Sequence, residues 1–412
     1  MVKNLLNWEK VVEGGFGDRY NICAWSMVKF KGYLYVGTMN VKNGCQIYRS
    51  KTGNKYMWEK VSVDGFEQYN KSIGVRNMIV YNNLLWVVTY SGINGTQVWL
   101  TDGKNTRNGI LKWKKANIDG FKEGAKIPGS RAMVIYKNKL YVGTQCKKGL
   151  PRIYRYDGST EFDNIQPEKW TWINKEWKDD IRSRTDFSLI GTMKNFETSG
   201  GKEFIYAGFY SEMAALAAQL KNKFSFATLI KLIKFFTFVR CKIFRYDGTN
   251  WEQISKTGFG KPNIMAMCSA VLNDSIYFGT SNIFGAEIWK TKDGINWTRV
   301  AKKGFNYFFN IVMWSFYTFE NKLIIGIQNL LTGGQIWASI NEDPDSNKDF
   351  VQIFGKNIEK KNNSKSSKLK QDGVRTFEIF NGNLYAGTSS NINPVITTPT
   401  RSGCEVWRIK QL

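Results

Sequence analysis

With 412 residues, 42% hydrophobic and 15% aromatic, the chain has ample apolar surface for a large packed core, which excludes a mainly disordered protein. Its 59 Lys and Arg against 34 Asp and Glu leave a formal charge of +25, which suits acidic partners such as nucleic acid, anionic lipid or phosphorylated ligands, and equally suits a Lys-rich soluble surface. There is no histidine, so imidazole serves nowhere as base, nucleophile or metal ligand, and the common hydrolase triads and most zinc sites are excluded.

The first ten residues lack the apolar run and cleavage site of a signal peptide, and no stretch is long and apolar enough to span a bilayer, so the cytoplasm is the expected compartment. Cys23, Cys45, Cys146, Cys241, Cys268 and Cys404 are scattered without a CxxC pair and read as structural thiols. No metal and no cofactor is expected.

Along the chain one pattern recurs: an apolar strand, a tight turn, a strand ending Gly-Thr, a Gly-rich link, a third strand, a polar turn, then Trp-x-x-Val and often Gly-Phe. The second strand is clearest at Leu34 to Thr38, Leu140 to Thr144, Ile276 to Thr280 and Leu384 to Thr388, with weaker copies ending at Thr89, Phe209 and Ile327. Third strands begin at Cys45, Thr96, Arg152, Lys242, Ala286, Gly334 and Cys404 and alternate with the period of half-buried strands. Fourth strands begin at Trp58, Trp113, Trp172, Trp251, Trp297 and Phe350, one fewer than the third strands. The missing copy is Trp8-Glu9-Lys10-Val11 at the start of the chain, so the N-terminal strand is expected to complete the last unit. The fold class is therefore all-β: residues 1–412 as a single seven-bladed β-propeller, closed by N-terminal strand pairing in the last blade, with the Trp, Tyr and Phe side chains mostly filling wedges between blades.

The turns between third and fourth strands read Thr101-Asp102-Gly103, Tyr156-Asp157-Gly158, Tyr246-Asp247-Gly248-Thr249-Asn250-Trp251 and Thr291-Lys292-Asp293-Gly294-Ile295-Asn296-Trp297, whereas the copy at Ser50 has Thr52 in place of Asp. This pattern resembles the Asp-box of sialidase-like propellers, a hairpin that caps a blade; Asp-Gly also makes a hairpin turn for purely steric reasons. The resemblance implies a sialidase-like alternative, in which an arginine triad grips a carboxylate and a Tyr/Glu pair and an Asp do the chemistry. No local motif carries those residues over, and the count of seven repeats departs from the six blades of those enzymes.

Counting back equally from the Gly-Thr landmark gives Trp25, Arg76, Arg131, Met267, Trp314 and Arg375 as the first residues of the innermost strands, with Arg184 as the nearest candidate in the irregular fourth repeat. Arg76, Arg131, Arg184 and Arg375 would share one rim with Trp25 and Trp314 and bind a small anion, because guanidinium forks match carboxylate and phosphate. The alternative is that each Arg bonds carbonyls of a neighbouring blade or turns to solvent, and Asp186 could pair with Arg184.

Residues 211–241 form an insertion in the fourth blade, with a strong helix former at Met213 to Leu220 and an apolar stretch from Ser225 to Val239. Phe224, Phe226, Leu229, Ile230, Lys231, Ile233, Lys234, Phe235 and Phe236 suit docking to an anionic membrane surface or a protein partner, or else cover the propeller's own face. The basic stretch Lys356 to Lys370 and the link Asn391 to Ser402 belong to that face too. Asp343, Asp345, Asn347 and Asp349 have the alternate spacing of a calcium loop, but Lys348 replaces its Gly and no closing Glu follows.

These features point to a non-enzymatic binding scaffold whose basic, insertion-bearing face docks an anionic membrane, an anionic ligand or a protein partner. The competing reading is a hydrolase at the channel mouth, for which Asp18, Asp186 and Glu212 are the nearby carboxyl groups. Nucleic-acid binding has charge in its favour and no recognised motif.

Overall fold

A computed structural model of the chain describes residues 7–67, 72–106, 108–147, 149–177, 188–211, 240–307, 309–329, 331–355, 371–390 and 402–411. The expected insertion lies almost wholly outside them, as do Lys356 to Lys370, all but Ser402 of the link from Asn391, and Arg184. Among the described residues the chain is all-β and β-propeller-like, and no helix is long and apolar enough to cross a membrane.

The repeat unit is an antiparallel meander. In the first, Asn21–Phe30 pairs with Tyr33–Asn40, which pairs with Ile47–Ser50, which pairs with Glu59–Lys60. Further meanders have their inner strands at Gly74–Tyr81, Gly129–Tyr136, Ser188–Glu197, Met265–Leu272 and Asn310–Phe319. The last runs Gly373–Phe380, Asn383–Ser389 and Val406–Ile409, and its fourth strand is Glu9–Val12, with Lys10 opposite Trp407 and Glu9 opposite Arg408. Trp8 adds an indole hydrogen bond of 3.0 Å to the carbonyl of Ile353 in the meander before. Successive inner strands lie side by side, and Gly373–Phe380 lies beside both Asn310–Phe319 and Asn21–Phe30.

At the Gly of the Gly-Thr landmark neighbouring meanders approach closely. A Cβ at Gly37 would stand 2.4 Å from a Val75 methyl, and one at Gly387 would stand 2.9 Å from the Ala24 Cβ, so the next inner strand closes against bare backbone there.

Aromatic wedges fill the outer part of each contact. After a fourth strand the chain turns through a left-handed Gly-Phe pair, such as Gly65 and Phe66 with φ of 69° and 65°, and delivers the Phe onto the next meander. Phe66 stacks on Trp99 at 5.1 Å and meets Trp113 edge-on at 5.2 Å. Phe16, Phe121, Phe259 and Phe305 repeat this against Tyr48 and Trp58, Tyr154 and Trp170, Trp289 and Trp297, and Trp337 and Phe350. Trp177 takes the place of the Phe against Phe244 and Trp251. In the third meander the fourth strand is Trp170–Trp172, and the wedge residue is Trp170, not Trp172. The tryptophans are thus core, and all six cysteines are buried free thiols.

Because each wedge ring touches two aromatic partners, Phe66→Ala is expected to cost about 3–5 kcal/mol, as for other buried Phe truncations. Urea unfolding followed by Trp fluorescence reads this as a lowered midpoint.

Candidate anion site in the central cavity

Every inner strand carries a β-bulge at the same place. Ala24 opposes Thr38 and Ser26 opposes Gly37, which leaves Trp25 as the extra residue. The same slip leaves Arg76 between Val75 and Asn77, Arg131 between Ser130 and Ala132, and Gly191 between Ile190 and Thr192. It leaves Met267 between Ala266 and Cys268, Trp314 between Met313 and Ser315, and Arg375 between Val374 and Thr376. An unpaired residue in a bulge is re-aimed out of the sheet's alternation, and here the seven positions line one cavity of about 170 Å³.

Polar bonds between adjacent inner strands hold the bulges in place. Ser26 Oγ donates to the Val75 carbonyl at 3.0 Å, Asn77 Nδ2 to the Arg131 carbonyl at 2.6 Å, and Ser315 Oγ to the Val374 carbonyl at 3.3 Å. Each acceptor sits in or just before the next bulge.

Trp25, Arg76, Arg131, Trp314 and Arg375 are therefore brought together as the landmark count expected, with Met267 beside them. They are not the first residues of their strands: Arg76 is the third residue of Gly74–Tyr81 and Trp25 the fifth of Asn21–Phe30. In the fourth meander the equivalent position belongs to Gly191, and Arg184 lies outside the described residues. The signal that finds Gly191 is the Gly208 landmark, whose partner across the ladder is Thr192.

The three guanidiniums do not form an open wreath. Arg131 reaches across to donate from Nη2 to the Trp314 carbonyl at 2.9 Å, and its Cζ lies 5.3 Å from that indole. Arg375 covers the same indole at 3.5 Å, donates from Nε to Ser389 Oγ at 2.9 Å, and through Ser389 is linked to the Asp372 carboxylate. Arg76 donates from Nη1 to Gln145 Oε1 at 2.8 Å and lies 4.9 Å from the Trp25 ring and 5.1 Å from Tyr90. Trp314 Nε1 is held by Gln328 Oε1 at 2.9 Å. No Asp or Glu is among the described residues that line the cavity, and Asp372, one serine removed, is the carboxylate that sequence reading missed. Burial pushes the nearby Cys23 thiol up to about 12 against the pull of Arg375, so it stays a neutral packing group.

Asp186 and Glu212 lie outside the described residues, and the other candidate carboxylates are committed elsewhere. Asp18 accepts from the Tyr20 amide and from Asn40 and Asn43 side chains at 2.8–2.9 Å. Asp293 accepts from the amides of Ile295 and Asn296, both at 2.8 Å, and Asp247 does the same for Thr249 and Asn250, so these hairpin carboxylates cap their own turns. Asp343 pairs with Lys290 at 2.6 Å and accepts from Tyr277, while Asp349 closes a capping box with Ser346. Among the described residues no cluster of potential metal ligands is found, Asp343 to Asp349 included.

No protein-family model and no curated protein sequence matches the chain. Among solved structures, the extracellular domain of a protein described as a hybrid two component system from B. thetaiotaomicron superposes with a TM-score of 0.51 at 12% identity, over 94% of this chain and 40% of that one. Trypanosoma rangeli sialidase in complex with sialic acid gives 0.47 at 10% identity, over 94% of this chain and 60% of that one. A mutant of AofleA from Arthrobotrys oligospora gives 0.46 at 10% identity, over 85% and 90%. The likeness to the first of these is one of fold. The chain spans well under half the length of the first of these.

A tyrosine bonded to a carboxylate does occur on the inner strands, where Tyr317 donates to Glu378 Oε1 at 2.7 Å, three residues beyond the bulges and outside the cavity lining. Burial raises both groups above their ordinary values, which holds the phenol protonated. Because the folded Glu378 value is raised, its contribution to stability is greatest below the ordinary glutamate value and is lost as pH rises through the raised one. Glu378→Gln keeps an acceptor for Tyr317 and removes the charge, so its melting temperature should exceed that of the parent at about pH 8, with the gap closing at about pH 4. Calorimetry at the two pH values checks this; a gap independent of pH contradicts it.

Proposed function

We propose that the chain is a single closed propeller of seven blades that acts as a non-enzymatic binding module and takes a small anion in its arginine-lined cavity. The observation that carries this reading is the convergence of Arg76, Arg131 and Arg375 on one cavity, with no carboxylate among the described residues that line it. Guanidinium forks present paired N–H donors, and an anion that accepts from them forms charge-assisted hydrogen bonds. Carboxylate and phosphate groups have the matching geometry.

The ring is supported by the cyclic adjacency of the inner strands and by the pairing of Glu9–Val12 with Val406–Ile409. Removing residues 1–12 would expose the edge of Val406–Ile409, so the truncated chain is expected to aggregate and to lose its cooperative thermal transition. Light scattering during a thermal ramp checks this.

A sialidase-like hydrolase at the channel mouth is the second reading. It needs an acid and a nucleophile beside the arginines, and the described residues of the cavity lining include neither a carboxyl group nor a tyrosine. Docking of the insertion-bearing face on an anionic membrane or a protein partner through residues 211–241 belongs to the binding reading, as does the cytoplasm as its compartment. Liposome flotation with and without that segment tests the former.

Isothermal titration with inorganic phosphate and with small carboxylates tests the cavity. Binding is expected to weaken about tenfold or more in Arg76→Gln and in Arg375→Gln, as for the loss of a charge-assisted hydrogen bond. Heats that are absent from the parent, or unchanged in both variants, overturn the proposal.

A further inference from the structure

Four turns between second and third strands are built alike. Two residues after the landmark position at Thr38, Thr89, Thr280 and Ile327 stands a capping polar residue, Asn40, Ser91, Asn282 or Asn329. Asn40 Oδ1 accepts from the amides of Lys42 and Asn43 at 3.1 and 2.8 Å, and Asn329 Oδ1 accepts from Leu331 and Thr332 at 2.9 and 2.8 Å. Asn282 Oδ1 accepts from Phe284 at 2.9 Å, and Ser91 Oγ accepts from Asn94 at 3.2 Å. These side-chain turns fix the loop and leave its tip pointing away from the sheets.

The tip residue in each is large and apolar. Ile93 is 71% exposed, Phe284 61%, Leu331 56% and Val41 43%. A turn of this design gains nothing in folding from an exposed Ile, Phe, Leu or Val, and polar residues are the usual occupants of such tips. Because the turns occupy the same register in the first, second, fifth and sixth meanders, the tips stand at one height on one face.

Lysines lie between the tips. Lys42 follows Val41 directly, and the turn at Gly285 packs on the backbone of Lys303, where an added Cβ would lie 2.6 Å from the Lys303 Cα. The turn at Gly95 packs on Gly120 and Gly124, which flank Lys122. Lys42, Lys122, Lys302 and Lys303 are all exposed.

We infer that this face docks flat on an anionic bilayer, with Val41, Ile93, Phe284 and Leu331 entering the interfacial layer and the lysines meeting the headgroups. The inference deepens the binding-module reading and rests on it. Separate apolar points at a common height, spaced by cations, suit a planar and deformable surface, whereas a stable protein interface needs a contiguous patch of about 800 Å² on each side. Lysines near an anionic leaflet each add about the attraction that a polybasic segment gains per charge.

The test uses the full chain and sedimentation with vesicles of phosphatidylcholine, with or without a third phosphatidylserine. The parent is expected to pellet with the anionic vesicles only. A variant carrying Val41→Ser, Ile93→Ser, Phe284→Ser and Leu331→Ser should bind them about tenfold or more weakly, since a factor of ten is about 1.4 kcal/mol and four partly buried apolar side chains supply at least that. A control carrying Met57→Ser and Ile295→Ser, in the turns between third and fourth strands on the opposite face, should bind as the parent does. The tip variant should also keep the parent's melting temperature and its affinity for small anions, so failure of the cavity and failure of the docking face read out separately. A parent that ignores anionic vesicles assigns the tips to a protein partner and overturns the inference. Equal binding by tip variant and parent overturns it as well.

Discussion

One extra residue in each inner strand is the constraint on which the site depends. Without the bulge, strict alternation would send residues 25, 76, 131, 267, 314 and 375 into the packed space between neighbouring sheets, where a guanidinium would meet Val, Ile and Phe side chains. With it, the extra residue leaves the ladder and turns to the axis, while the residues on either side keep their packing. The landmark Gly opposite the following residue is part of the same device, since at Gly37 and Gly326 it lets the next inner strand come close enough for Ser26 and Ser315 to bond its backbone. The fold and the cavity are therefore specified by the same few positions.

The arrangement separates stability from binding. Aromatic wedges at Phe16, Phe66, Phe121, Phe259 and Phe305 stabilise the outer contacts between meanders, and hairpin carboxylates such as Asp293 are consumed in their own turns. Neither set reaches the axis. The inner bulges then have no structural task that requires a particular side chain, as Gly191 and Met267 at two of them illustrate. Arginine at three of the others is a costly choice for packing alone, because burying a guanidinium asks for hydrogen bonds such as those it makes here to Gln145, Ser389 and the Trp314 carbonyl.

Much of this was legible in the sequence because period and landmark both survive in most copies. Gly37-Thr38, Gly143-Thr144, Gly279-Thr280 and Gly387-Thr388 locate the second strands, and a fixed count back from them reaches Trp25, Arg131, Met267 and Arg375 without knowledge of any bulge. The same count back from Gly208 falls on Phe196 and not on Gly191, because the hairpin from Thr192 to Gly208 spans 16 positions where that from Ser26 to Gly37 spans 11. The repeat starts the fourth strand of the third meander at Trp172, whereas the strand is Trp170–Trp172 and Phe121 packs on Trp170, a choice between two tryptophans of one short strand that only packing distinguishes. Arg131's reach across the axis to Trp314, and the link from Arg375 through Ser389 to Asp372, join residues far apart in the chain, so no local pattern announces them. The apolar tips at Val41, Ile93, Phe284 and Leu331 went unnoticed for a different reason: single exposed apolar residues are common, and only their shared register makes them a set.

The account stands or falls on whether the cavity beside Arg76, Arg131 and Arg375 holds an anion. Crystals soaked in sodium bromide and measured at the bromine absorption edge ask this directly. The account predicts an anomalous peak inside the cavity within about 3.5 Å of at least two of the three guanidiniums. Peaks confined to surface lysines, with the cavity empty at the same soak, would contradict it.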